Sequence, residues 1–163
     1  QESCCYDAIV CTWALMYEQP QKVLNQCQRL LKNGGYLYIL VNDQQTLPQI
    51  RKIYPKLLIE YVGSINKLMF DLPMPNNAQQ LERWAKKAGL KNCRVTSKKQ
   101  EFYFTDWNRA AKFVTSTGAL PGYDAMLDLK NEKIFNTLVE QLQKFFTKPC
   151  ITHHFVMGIF KKG

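Results

Sequence analysis

The residues best suited to chemistry stand near the start of the chain. Cys11, Thr12, Trp13, Leu15, Met16 and Tyr17 place small, apolar and aromatic groups directly after an apolar run. In an open α/β sheet, ligands bind beyond the carboxyl ends of the strands, and a flat cofactor ring could pack against such groups. The plainer alternative is that they only join a strand to a helix. Other candidates carry less. His153 and His154 are adjacent, so on a strand they point to opposite faces and do not easily share a metal ion. No metal site is expected. The carboxylates form no paired acid and base motif, and no catalytic base is identifiable. Arg109 and Lys112 lie three residues apart on one helical face. They could meet a carboxylate substrate, although a solvated face is the simpler reading. Trp107, Thr117 and Tyr123 are further candidates from the same region, each also suited to a core.

These residues need elements to position them. The stretch "YDAIVCTW", 6–13, is apolar on both faces and β-branched in part, which suits a buried parallel strand. Pro20 fits a first helical turn, and Val23, Leu24, Cys27, Leu30 and Leu31 recur at helical spacing. Lys32 and Gly34-Gly35 close that helix, and "YLYILV", 36–41, is the next buried strand. Strand, helix and strand with short joints form a right-handed βαβ unit.

A second helix starts near Thr46 and Pro48, with Pro55 as a kink or break. The stretch "GSINKLMFDLPMPNN" is irregular. Asn76 or Asn77 caps a helix carrying Leu81, Trp84, Ala85 and Ala88, closed by Gly89. Residues 92–105 read as a strand, bent or split around Lys98-Lys99. Asp106 caps a helix over 107–117, "GALPGY" is a turn, and a helix from Asn131 buries Ile134, Phe135, Leu138, Val139 and Leu142. Residues 150–160 are the last strand.

The 163 residues, 46% of them hydrophobic and 21% charged, suffice for one domain with a sizeable core. No apolar run approaches a membrane span, and Gln1, Glu2 and Ser3 do not form the basic start of a signal peptide. The six scattered cysteines form no C-x-x-C pair, so reduced thiols and a cytoplasmic location are expected. The net charge of +9 suggests nucleic acid, but the Lys and Arg residues are dispersed and cluster only in pairs. A solvated surface is the better reading. The chain does not begin with Met, which points to a fragment or a processed product.

The run from Tyr6-Asp7 through Cys11-Thr12, Ala14-Leu15, Arg29, Leu31 and Gly34-Gly35 resembles strand four, its helix and strand five of class I S-adenosylmethionine-dependent methyltransferases. "LERWAKKAGLKNCRV" resembles the helix before strand six. More weakly, "FYFTDWNRAAKFVTSTGALPGYDAML" resembles the helical insertion of the trans-aconitate and malonyl-carrier-protein methyltransferase subgroup. The resemblance implies the C-terminal half of a Rossmann-like sheet, strands four to seven with the last antiparallel. It makes 1–163 a partial methyltransferase domain and 106–147 a helical cap inserted within it.

It implies S-adenosylmethionine as cofactor, bordered by Cys11, Thr12, Trp13 and Leu15. Met16, Tyr17, Trp107, Arg109 and Thr117 would face the acceptor, a small or carrier-bound molecule, with a carboxylate among the candidates. Met16 stands where the subgroup usually has a polar or imidazole residue. The family's Gly-rich loop and ribose-binding acid have no counterpart here: "KNGGY" stops a helix and feeds a strand, the reverse of a nucleotide loop. Three strand-and-helix units, about 90 residues, are therefore expected upstream. Without them strand 6–13 would be an open edge prone to self-association. The alternatives are an RNA methyltransferase and a non-catalytic methyltransferase-like interaction module.

Overall fold

The computed structural model describes residues 4–65, 72–117, 120 and 122–163. Parts of the irregular stretch (66–71) and of the "GALPGY" turn (118, 119 and 121) lie outside the described residues. The chain divides into two compact units. One comprises 1–46, 73–99 and 153–163, the other 47–72 and 100–152.

The first unit is built on a sheet with strand order β1-β2-β4-β3. β1 is Tyr6–Thr12, β2 Leu31–Asn42, β3 Leu90–Tyr103 and β4 Cys150–Lys162. β1 runs parallel to β2, while β4 runs antiparallel to it. α1, Pro20–Leu30, supplies the crossover between β1 and β2. Its Pro at the first turn has no N–H to leave orphaned. α3, Ala78–Lys87, starts at Asn77, whose side-chain oxygen accepts the Gln80 N–H at 3.0 Å. Both helices cover one face of the sheet. There Leu24 and Cys27 of α1 and Leu81 and Ala85 of α3 bury Leu37, Ile39, Val41, Val156 and Phe160.

The junction of α1 and β2 differs from the sequence reading. The helix ends at Leu30 and the strand begins at Leu31, paired with Tyr6. Gly34, at φ +81°, and Gly35 lie inside this extended stretch. A Cβ on Gly35 would stand 2.9 Å from the Lys32 carbonyl oxygen and 3.0 Å from that of Asp7. Gly35 thus lets β1 and β2 approach where the register shifts between Tyr6 and Ala8. Asp7 meets the Lys32 ammonium at 2.9 Å at the same end.

The second unit is mainly helical and also takes in the last residues of β3, 100–103, and the first of β4, 150–152. α2, Pro48–Glu60, continues through Pro55. α4, Trp107–Ser116, is capped by Asp106, which accepts the Arg109 N–H at 2.8 Å. α5, Tyr123–Met126, is a single turn that periodicity does not reveal, and α6, Glu132–Phe145, is capped by Asn131. Helices α2, α4 and α6 share one core in which Leu57, Ala111, Val114, Leu138 and Leu142 are fully buried. Tyr54 donates to the Tyr123 carbonyl and stacks on its ring edge to face. Burial there raises the Tyr54 phenol well above its ordinary range.

Candidate functional site at the carboxyl end of β1

β1 delivers its last residues to the carboxyl edge of the sheet. Thr12 pairs with Leu40, and the Trp13 N–H then donates to the Leu40 carbonyl at 2.7 Å. Trp13 adopts φ +56°, a left-handed conformation that costs a non-glycine residue about 1–2 kcal/mol. Such strain persists where surroundings enforce it, and it clusters at functional sites. Here the turn throws the indole, 40% exposed, against Phe155 at 6.0 Å between centroids.

Register identifies the neighbours. Ala8, Val10 and Thr12 oppose Tyr36, Tyr38 and Leu40, and these oppose Lys161, Ile159 and Met157. This face is turned away from α1 and α3. Asn42, next along it, pairs with Phe155. The Asn42 side chain is 5% exposed, yet its Oδ1 has no hydrogen-bond partner among the described residues. A buried acceptor without a donor costs on the order of 1–3 kcal/mol. It suits a ligand that brings an N–H or O–H.

The candidates named from the sequence thus separate. Thr12, Trp13 and Tyr17 are exposed around the 3-10 turn Leu15–Tyr17. Leu15 and Met16 are 0% and 1% exposed and belong to the core beneath. Cys11 is half-buried on the α1 side, and burial raises its thiol pKa. Burial and the nearby Cys11 push Cys27 up to about 11. In the helical unit, Trp107 is buried with Nε1 donating to the Phe146 carbonyl at 3.1 Å. Arg109 is exposed beside Asp106, and the Thr117 hydroxyl donates to the Phe113 carbonyl at 2.7 Å. His153 and His154 are half-buried, and burial lowers the His153 pKa. No group of three or more potential metal ligands occurs among the described residues. Sequence reasoning missed Asn42 and Phe155. The signal available was "VND", two polar residues ending a buried strand.

A family model described as a methyltransferase domain matches residues 2–39, covering β1, α1 and most of β2. No curated protein matches the chain. Among solved structures, a Bacillus halodurans protein assigned as a methyltransferase aligns with 98% of this chain and 65% of its own, at 15% identity and TM-score 0.52. The YcgJ protein of Bacillus subtilis aligns over the same shares at 9% identity and TM-score 0.56. The [4+2]-cyclase SpnF aligns with 99% of this chain and 52% of its own, at 13% identity and TM-score 0.51. The chain therefore has a class I methyltransferase-like fold, a mixed sheet with helical insertions. It spans between half and two thirds of the length of these structures.

Proposed function

We propose that the protein takes part in S-adenosylmethionine-dependent methyl transfer to a small or carrier-bound acceptor. The observation that carries this is the strained Trp13 at the carboxyl end of β1, whose ring meets Phe155, the cross-strand partner of the unpartnered Asn42 acceptor. Thr12, Trp13, Tyr17 and Asn42 would hold the cofactor, with Cys11 and Leu15 packing behind them. The cofactor supplies an activated methyl group on its sulfonium. The protein's task is then orientation and exclusion of water. A carboxylate acceptor is the substrate class this economy favours, because it is already ionised at neutral pH. Exposed Arg109 is the cation we assign to such an acceptor, within a helical insertion at 106–147.

The two sheet edges support a further part of the reading. β3 carries exposed Lys91, Arg94, Lys98 and Lys99, a protected edge. β1 carries one charge, Asp7, already paired with Lys32. Its Val10 is 68% exposed, and among the described residues β1 pairs with β2 alone. We assign this edge to a strand from an upstream segment of the same protein, which would complete the cofactor pocket.

Ultraviolet cross-linking with methyl-labelled S-adenosylmethionine, on the chain extended by that proposed upstream strand, tests the assignment. Label is expected in the peptide containing Thr12 to Tyr17. Labelling confined to other peptides would refute it.

A further inference from the structure

A groove of about 380 Å³ opens on the helical unit, lined by Asn108, Lys112, Thr115, Ser116, Lys130 and Phe135. Its volume lies within the range of small-molecule sites. Asn108, Lys112 and Thr115 stand at i, i+4 and i+7 of α4, so one stripe of that helix forms a wall. The opposite stripe, Trp107, Ala110, Ala111 and Val114, is buried in the core and fixes the helix in place. Lys130 comes from the turn before α6 and half-buried Phe135 from its first turns.

Two ammonium groups therefore line a groove that contains no carboxylate. Among the described residues neither is held in an ion pair. Asp128, near in sequence, is engaged with the Lys130 backbone N–H at 3.1 Å. The Thr115 and Ser116 hydroxyls donate to helix carbonyls, at 3.0 Å to Ala111 and 2.6 Å to Lys112. What they offer a ligand is acceptor capacity. Donors for an anion are thus the two lysines and the Asn108 amide.

We propose that this groove binds a phosphate monoester, its head group between Lys112 and Lys130 and its apolar body on Phe135. Two point charges match a dianionic phosphate. A carboxylate carries half that charge and is recognised best by the planar fork of an arginine, which the lining lacks. The assignment stands apart from the cofactor reading, since it uses none of the residues at the end of β1.

The test is a titration of the full chain with phenyl phosphate, followed by amide and side-chain NMR shifts. Shifts are expected at Lys112, Lys130 and Phe135. Lys112→Ala and Lys130→Ala should each weaken binding roughly tenfold, the loss of one charge-assisted contact. Phe135→Leu should weaken phenyl phosphate while leaving inorganic phosphate unchanged. Unaltered affinity in both lysine variants would overturn the proposal. So would shifts that map elsewhere, no binding at millimolar concentration, or benzoate binding as tightly as phenyl phosphate.

Discussion

The Trp13 indole meets the Phe155 ring edge to face, 6.0 Å between centroids and 75° between planes. One residue directly follows the parallel strand β1 and the other lies on antiparallel β4, with β2 between the two strands. The contact offsets part of the strain at Trp13, since an aromatic pair contributes about 0.5–1.5 kcal/mol beyond burial. Because the strain and the contact are of similar size, a left-handed tryptophan can persist here with its ring at the surface. A ligand packing on that ring would add to an arrangement already in place.

Asn42 should trade stability for binding. Asn42→Leu removes an unpartnered buried acceptor and is expected to raise unfolding stability in urea by about 1 kcal/mol. The same variant should bind S-adenosylhomocysteine more weakly. A loss of stability would show that Oδ1 is satisfied in solution.

The half-buried His153 gives a pH dependence of defined sign. Its folded pKa is lowered from 6.5 by burial, so folding favours the neutral ring. The corresponding stability is present above the unfolded pKa and is lost as pH falls through the folded one. Urea midpoints should therefore decline as pH drops below about 6.5, and His153→Gln should flatten that decline. Parallel curves for the two proteins would contradict it. Asp106, lowered chiefly by the Arg109 N–H, adds a second loss at more acidic pH.

Much of this architecture is readable in the residues. The helical periodicity of α1, α3 and α6 and the caps Asn77, Asp106 and Asn131 are local, and each sits where spacing places it. The antiparallel last strand follows from the resemblance and is found. What local pattern does not carry is contact with distant strands. Leu31 looks like the last apolar residue of a helix, yet pairing with Tyr6 takes it into β2. Residues 6–13 read as buried on both faces because their composition suits burial. The structure leaves Ala8 and Val10 exposed on one of those faces. Asn42 needs knowledge of its cross-strand partner, which no spacing rule supplies. The turns Leu15–Tyr17 and Tyr123–Met126 are too short for any period to register.

The two glycines of β2 should fail differently. Gly35→Ala meets three backbone oxygens within 3.1 Å and should cost about 1–3 kcal/mol, as overpacking does. Gly34 has room but a φ of +81°, so Gly34→Asn should cost less than Gly34→Ala because asparagine tolerates that region. At Gly35, asparagine should be no better than alanine. Equal responses at both positions in denaturant titrations would refute the distinction.

The β1 edge, which among the described residues pairs with β2 alone, predicts association. Residues 1–163 alone should show concentration-dependent self-association in sedimentation velocity, as unpaired strand edges invite. Val10→Lys, at a 68% exposed position, should reduce it without lowering stability. A monomer at all concentrations would argue that the edge is protected.

The most direct measurement is calorimetry with S-adenosylhomocysteine on residues 1–163 extended by the upstream segment we propose, compared with residues 1–163. The extended protein should bind, and Trp13→Ala should weaken that binding by on the order of 1–3 kcal/mol, as for a packed aromatic contact. The 1–163 chain should bind weakly or not at all. Absence of heat from the extended protein would contradict the account and leave a non-catalytic module. So would an affinity unchanged in a folded Trp13→Ala variant, or micromolar binding by 1–163 alone.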